Sequence, residues 1–258
     1  MRIAAFQFSG SDNIENNVLA IKRGIVKASE QKVRLMITQE CALCGYPPIE
    51  TENVAQIDFQ QVATATAQLS HLAIEHQIYI GLGTIIPCKD SYTNSIVLLS
   101  PHREKQFAYH KRALWGWDRE NFRPGDERGI YTIDGMKVGL RICYEVRFPE
   151  YFRELFREKV DLACVSFCDV GKESNPNRYE LIKAHLMTRA VENAMYVISA
   201  NSISGYQTAP TCLINPDGIV LESAPLNEEY LLTFEYKSLT SNFGRDGRIH
   251  HSRELLGN

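Results

Sequence analysis

Short runs of β-branched and aromatic residues recur along the whole chain and constrain its fold more than any other feature. Each run has the length of a buried strand. The runs are RIAAFQF, VRLMIT, IYIGLG, SIVLLS, KVGLRIC, DLACVSF, MYVISA and YLLTFEY. Between several of them, residues 13–31, 54–76 and 176–194 place apolar side chains at every third or fourth position, as amphipathic helices do. This alternation predicts an α/β fold built in layers.

Two segments predict hairpins instead of helical crossovers. They are IIPCKDSYTNSIVLLSP and CLINPDGIVLES, the second with a Pro-Asp-Gly turn. Hairpins add antiparallel strands, so we expect mixed sheets. No internal repeat and no Pro/Gly/Ser-rich linker divides the sequence, which predicts one domain over residues 1–258.

Composition narrows the classes of partner. The chain has 258 residues, 44% of them hydrophobic, which is enough for a sizeable core. Its 28 basic and 31 acidic residues are interspersed and give a net charge of −3, so neither nucleic acid nor a membrane surface is an expected partner. The N-terminal apolar stretch lacks the pattern of a signal peptide or membrane span, which predicts a cytoplasmic protein.

The cysteine count argues against a disulfide framework. Seven cysteines are an odd number in a chain of this size without an export signal, so at least one thiol is expected to be free. Cys41 and Cys44 form a C-x-x-C pair, but no second Cys or His pair at zinc-binding spacing accompanies it. We therefore predict no metal and no other cofactor, with a zinc site or a redox pair as the alternatives.

Cys143 stands at a predicted strand-to-helix connection, where enzymes often display a nucleophile. It ends the run KVGLRIC, and Pro149 suits the first turn of the helix PEYFRELFRE. A helix N-terminus and a nearby cation would both favour the thiolate. The alternative is a buried, inert thiol.

Two charged residues occupy comparable places. Glu40 follows VRLMIT at the carboxyl edge of the predicted sheet, and Lys111 follows another short strand. Taken alone, Glu40 could be a solvated acid and Lys111 a surface lysine. The combination of Glu, Lys and Cys within their particular local sequences is what these ordinary interpretations leave unexplained.

Several long motifs carry a family resemblance. They are QECALCGYPP, YHKRALW, NFRPGD, GLRICYEVRFPE, MTRAVENAMYVISAN and LINPDGIVL. In these motifs and in this order, the chain resembles the nitrilase superfamily of carbon–nitrogen hydrolases, over nearly its whole length. The resemblance implies a four-layer α-β-β-α sandwich. It also implies a homodimer or higher homo-oligomer whose interface is formed by helices near the site.

The resemblance implies Glu40, Lys111 and Cys143 as catalytic residues. Cys143 would form a thioester with the substrate, and Glu40 would transfer the protons. Lys111 and the backbone N–H of Tyr144 would stabilise the oxyanion.

The family usually carries a second carboxylate seven residues after the lysine. That register indicates Asp118, one methylene shorter than the usual glutamate, with Glu120 as the alternative. Gln39 also departs from the family, in which proline commonly precedes the catalytic glutamate.

Aromatic residues near these positions predict the walls of a small-molecule pocket, with core packing as their alternative role. These aromatic residues are Tyr46, Trp115, Trp117, Tyr144 and Phe167, of which Tyr46, Trp115 and Phe167 are assigned to substrate binding. Arg147 matches an arginine of deaminated-glutathione amidases and ω-amidases that resembles a carboxylate clamp, which a guanidinium suits. An ion pair with Glu145 or Glu150 is the alternative.

The expected activity is hydrolysis of a small amide, such as an ω-amide bearing a carboxylate, with release of ammonia. Hydrolysis of an N-carbamoyl amine or a nitrile by the same three residues is the alternative, and a non-catalytic binding protein is a third. Acidic residues of the same motifs, Glu145, Asp118 and Glu120, could instead favour a cationic substrate. A Cys-His mechanism would require His110 or His185.

Overall fold

Two six-stranded sheets form the centre of the molecule. The computed structural model describes residues 1–102, 107–238, 240 and 242–257. The strands are β1 Arg2–Gln7, β2 Leu35–Thr38, β3 Tyr79–Cys88, β4 Ser91–Leu99, β5 Phe107–His110, β6 Ile130–Ile133, β7 Met136–Ile142, β8 Leu162–Phe167, β9 Val170–Gly171, β10 Tyr196–Asn201, β11 Tyr206–Gln207, β12 Cys212–Ile214, β13 Val220–Ser223 and β14 Tyr230–Glu235. The helices are α1 Ile14–Glu30, α2 Phe59–Glu75, α3 Asp118–Asn121, α4 Pro149–Arg157, α5 Pro176–Asn193 and α6 Phe243–Leu256.

Both sheets are mixed, as the sequence predicts. The first has the order β14-β1-β2-β3-β4-β5, and the second has the order β13-β12-β10-β8-β7-β6. In each, three neighbouring strands are parallel: β1, β2 and β3 in the first sheet, and β10, β8 and β7 in the second. The predicted hairpins are the antiparallel pairs β3–β4 and β12–β13. The parallel strands therefore bring several carboxyl ends to one edge of each sheet.

Three apolar cores separate four layers. One lies between the sheets, one between the first sheet and helices α1 and α2, and one between the second sheet and helices α4 and α5. Each sheet contributes to two cores because successive side chains of a strand point to opposite faces of the sheet. In β1, Ile3 and Ala5 enter the core between the sheets, whereas Ala4 and Phe6 face the helices. The predicted α-β-β-α sandwich is confirmed.

Polar side chains cap the start of α1, α2, α5 and α6. Asn13 accepts a hydrogen bond from the Asn16 N–H at the start of α1, and Asn175 caps α5 directly before Pro176. The predicted helix over 54–76 is divided, because Asp58 adopts an extended conformation and caps α2 through the Gln60 and Gln61 N–H groups. Only a 3-10 turn, Val54–Gln56, precedes it.

Helix α6 was not predicted from the sequence. Within the described ranges, no helix combines the length and apolar character needed to cross a membrane.

Candidate active site

The three predicted catalytic residues all follow the carboxyl ends of strands. Glu40 lies two residues after β2, Lys111 directly follows β5, and Cys143 directly follows β7. The two sheets are joined at this point, since the Glu40 N–H donates to the Phe167 carbonyl at 3.2 Å. The base and the lysine thus come from one sheet and the cysteine from the other.

Glu40 is buried, and three donors bind its carboxylate. Oε1 accepts hydrogen bonds from Lys111 Nζ and Asn94 Nδ2, both at 2.7 Å, and Oε2 accepts one from the Cys168 N–H at 3.0 Å. Burial raises the pKa of Glu40, while the charge of Lys111 acts in the opposite direction. A carboxylate with a raised pKa is suited to accepting and returning a proton.

Lys111 is a buried ammonium between two carboxylates. Its Nζ donates to Glu40 and, at 2.6 Å, to Asp118 Oδ2, and it lies 5.7 Å from the centre of the Tyr46 ring. Burial alone would lower the pKa of Lys111, but Glu40, Cys143 and Asp118 together raise it well above the ordinary value. The side chain therefore stays charged and cannot act as a base.

Asp118, rather than Glu120, contacts Lys111. The Asp118 carboxylate is fully buried and also accepts hydrogen bonds from the Tyr46 hydroxyl at 2.7 Å and the Trp115 N–H at 3.3 Å. Glu120 is exposed and does not line the cavity around Lys111. Its position on α3 turns it away from the ammonium, so the geometry favours Asp118 as the supporting carboxylate.

Cys143 occupies a sharp turn between β7 and a 3-10 turn, Cys143–Arg147. Its φ is 46°, in the left-handed region that residues other than glycine seldom adopt. Its half-buried thiol has a pKa well above the ordinary value, because burial and Glu40 outweigh the opposing effect of Lys111. These surroundings oppose the stabilised thiolate that the sequence predicts, which makes a proton acceptor beside the thiol necessary for attack.

A cavity of about 340 Å³ opens above Cys143 and Lys111. Of the predicted pocket residues, Tyr46, Trp115, Tyr144, Arg147 and Phe167 line it. Their roles in binding substrate stay predictions. Trp117 does not line the cavity and packs against the core between the first sheet and its helices, so its predicted place in the pocket wall is wrong. The lining also includes Cys168, Asp169, Lys172 and Arg178, whose place in the cavity was not predicted from the sequence.

Arg147 has no ion-pair partner among the described residues. Its guanidinium lies 5.8 Å from the centre of the Tyr144 ring, and no carboxylate group in the described part of the chain comes within 4.0 Å of it. Glu145 is fully buried and bound to backbone N–H groups, and Glu150 is exposed. The alternative in which Arg147 pairs with one of these acids is not found.

Neither candidate histidine belongs to the cavity lining in the described residues. The Nδ1 atom of His110 lies 2.8 Å from the hydroxyl of Ser95, and His185 lies within α5. The geometry gives no support to a Cys-His pair.

Asn94 and the Cys168 N–H are site groups that sequence reasoning missed. Asn94 lies in the middle of β4 within an otherwise ordinary strand, so no local motif marks it. Cys168 directly follows β8, and its place at a strand's carboxyl end was a signal available in the sequence.

Fold and side chains together define a class of protein, an α/β enzyme with a cysteine beside a buried Glu–Lys pair. A nucleophile, a base and a cation of this kind are the catalytic groups of a thiol hydrolase. The model of one family, described as carbon-nitrogen hydrolase, matches residues 2–241. The chain belongs to the carbon-nitrogen hydrolase family, and the predicted resemblance to amidases of the nitrilase superfamily is confirmed.

Relatives and solved structures agree with this assignment. The chain is 27% identical over 248 residues to a deaminated glutathione amidase of Synechocystis sp., covering 86% of each chain. It is 25% identical over 243 residues to an omega-amidase of Bos taurus, covering 88% of this chain and 85% of the relative. A mutant amidase from Nesterenkonia sp. AN1, 24% identical, superposes with a TM-score of 0.84 over 100% of this chain and 95% of the other. In that structure, the acetamide moiety of fluoroacetamide is covalently attached to the active-site cysteine.

Proposed function

We propose that this protein hydrolyses the terminal amide of a small carboxylate-bearing compound through a thioester on Cys143. The observation that carries the proposal is the buried Glu40–Lys111 pair beside this cysteine, at the base of a cavity that also presents Arg147. The names of the relatives support an amide substrate.

The first half-reaction forms the thioester. Glu40 takes the proton of the Cys143 thiol as Sγ attacks the carbonyl carbon, and the carbonyl oxygen becomes an oxyanion. The Lys111 ammonium and the Tyr144 N–H stabilise this charge, an effect worth about 3 to 4 kcal/mol per donor. The protonated Glu40 then donates its proton to the leaving nitrogen, the C–N bond breaks, and ammonia departs.

The second half-reaction releases the acid. Glu40 removes a proton from water as the water oxygen attacks the thioester carbon, and the same two donors stabilise the second oxyanion. Collapse of this intermediate breaks the C–S bond, and the proton returns from Glu40 to Cys143. The raised pKa of Glu40 supports both directions of transfer, since the group must accept and return a proton in each cycle. The cysteine adduct of the Nesterenkonia amidase supports the covalent step.

The charges around the cavity support an anionic substrate. Arg147 and Lys172 line it, and neither is within 4.0 Å of a carboxylate in the described part of the chain. The guanidinium of Arg178 instead binds Asp169 through two hydrogen bonds, at 2.9 and 2.8 Å. An Arg147 guanidinium without a protein partner is available to a substrate carboxylate.

A cationic substrate receives less support. The acids that would attract it, Glu145, Asp118 and Glu120, are absent from the described cavity lining. Of the acids that do line the cavity, Asp169 is already paired with Arg178, which leaves Glu173.

Ammonia release from matched substrates tests the proposal. The panel contains a terminal amide with a distant carboxylate, its uncharged analogue and its cationic analogue of equal length, together with an N-carbamoyl amine and a nitrile. We expect the anionic amide to have the highest kcat/KM. Faster turnover of the cationic amide would contradict the role of Arg147, and turnover of the nitrile or carbamoyl compound alone would replace the amide assignment.

Substituting Arg147→Gln tests the clamp directly. It should raise KM for the anionic amide by about 10- to 100-fold and spare the uncharged analogue, because a charge-assisted contact contributes about 1.5 to 3 kcal/mol. Arg153→Gln is the matched control, since Arg153 also stacks on an aromatic ring, at 5.4 Å from the centre of Phe156, but does not line the cavity. Equal effects of Arg147→Gln on charged and uncharged substrates would reduce Arg147 to a packing residue.

A further inference from the structure

We propose that Glu145 is a positioning residue that fixes the nucleophile turn and the lysine segment relative to each other; this inference rests on the proposed function. Its side chain is fully buried and lies outside the described cavity lining. Oε1 accepts hydrogen bonds from the Arg112 N–H at 2.7 Å, the Ala113 N–H at 3.4 Å and the Tyr109 hydroxyl at 2.7 Å. Oε2 accepts one from the Ile142 N–H at 2.6 Å.

These donors flank the two groups that must meet at the substrate carbonyl. Arg112 and Ala113 directly follow Lys111, and Ile142 directly precedes Cys143. The N–H of Lys111 itself is held by the Asn94 carbonyl at 2.8 Å. The sheet thus fixes the lysine backbone on one side, and the Glu145 carboxylate fixes it on the other.

The nucleophile turn depends on outside support, because Cys143 has a φ of 46°. A residue other than glycine keeps such a conformation only where its surroundings impose it. Glu145 holds both ends of this turn: its carboxylate binds the Ile142 N–H, and its carbonyl accepts the Phe148 N–H at 3.1 Å. Loss of this support would let Sγ move relative to Lys111, and a displacement of about 1 Å can cost about 100-fold in rate.

The hydrogen bonds of the Glu145 side chain indicate that it positions other groups and does not itself react with the substrate. Its carboxylate accepts hydrogen bonds from backbone N–H groups and one hydroxyl, and its hydrogen bonds in the described part of the chain include neither the thiol nor the lysine ammonium. Charge-assisted hydrogen bonds of this kind are stronger and more directional than neutral ones. A single carboxylate therefore holds two separate segments of the chain, residues 109–113 and the start of the nucleophile turn at Ile142, in a defined geometry.

Glu145→Gln is the sharpest test. If the amide oxygen keeps the three donors of Oε1, its NH₂ group faces the Ile142 N–H, so the nucleophile turn loses its acceptor while the side-chain volume is retained. We expect kcat to fall by about 30- to 100-fold with KM changed by less than about threefold. Alkylation of Cys143 by iodoacetamide should change by less than about threefold, because this displacement needs no oxyanion stabilisation.

Asp161→Asn is the matched control. The Asp161 carboxylate also accepts hydrogen bonds from a backbone N–H, that of Lys137 at 2.8 Å, and from a tyrosine hydroxyl, that of Tyr236 at 3.2 Å. It lies outside the described cavity lining, so its loss should lower thermal stability without lowering kcat.

The outcomes are distinct. A kcat for Glu145→Gln within about threefold of that for Asp161→Asn would overturn the positioning role. So would new alkylation of the buried Cys41 and Cys44, which would indicate general loosening. If Glu145→Gln does not fold, Tyr109→Phe decides, since it removes one of the four donors: a fall in kcat of about fivefold at constant KM supports the proposal, and an unchanged kcat overturns it. An inactive wild-type protein would instead refute the proposed function.

Discussion

Two cysteines follow neighbouring parallel strands of the same sheet, yet only one has the geometry of a nucleophile. Cys143 follows β7 and Cys168 follows β8, and both line the cavity. The φ of Cys143 is in the left-handed region, and its thiol is half-buried, whereas Cys168 is buried and donates its backbone N–H to Glu40. Proximity to the base is therefore insufficient, and the conformation of the turn decides which thiol is presented to a substrate.

The largest expected difference between the two thiols is in turnover. Cys143→Ala should lower kcat by at least about 10⁴-fold, because no other group can form the thioester. The variant should remain folded, since the side chain removed is small and half-buried. Ammonia release and circular dichroism measure the two effects. Near-normal activity in this variant would exclude Cys143 as the nucleophile.

The next largest effect is expected for Glu40→Gln. This substitution should lower turnover and, at the same time, make the Cys143 thiol more acidic. Glu40→Gln should lower kcat by about 10²- to 10⁴-fold, because the proton acceptor is lost. The Glu40 charge raises the pKa of Cys143 and Lys111 lowers it, so the same substitution should lower the thiol pKa.

The pH dependence of Cys143 alkylation checks this sign. In the wild-type protein, the rate should rise through a pKa above about 8.5, the usual value for a thiol. In Glu40→Gln, the rise should occur at lower pH although turnover is reduced. A thiol pKa that rises on loss of Glu40 would contradict the electrostatic arrangement of the site.

The smallest effect is expected at Cys168. Cys168→Ala keeps the backbone N–H that binds Glu40, so kcat should stay within about threefold of the wild-type value. Iodoacetamide labelling followed by mass spectrometry should identify Cys143 before Cys168. A large loss of activity in Cys168→Ala would mean that its thiol, and not just its backbone, takes part in the reaction.

Local sequence was sufficient to predict most of the strands, though not β6, β9 or β11, and the positions from which Glu40, Lys111 and Cys143 project. Each follows a run of apolar residues that pairs within a sheet, and the motifs around them are long and specific. The two hairpins were predictable from turn residues between apolar runs. That residues 1–258 form one domain and that the chain assembles as a homo-oligomer stay predictions.

The partners of these residues could not be predicted. Asn94 reaches Glu40 because β3 pairs with both β2 and β4, which brings together segments distant in sequence. The high pKa of Cys143 also depends on tertiary structure, since burial and the nearby Glu40 raise it while the predicted helix N-terminus alone would lower it. Glu145 was considered as an ion-pair partner of Arg147, and only the structure shows that its side chain points into the protein.

The hydrogen bond from the Glu40 N–H to the Phe167 carbonyl joins the two sheets at the site. Catalytic activity therefore depends on how the first sheet packs against the second. Ile37 of one sheet and Ile142 of the other bury their side chains in the same intervening core. Either sheet could form its own secondary structure and still have no complete catalytic centre. Turnover per molecule therefore measures how well the sheets register against each other, and substitutions deep in that core should affect catalysis without touching a substrate.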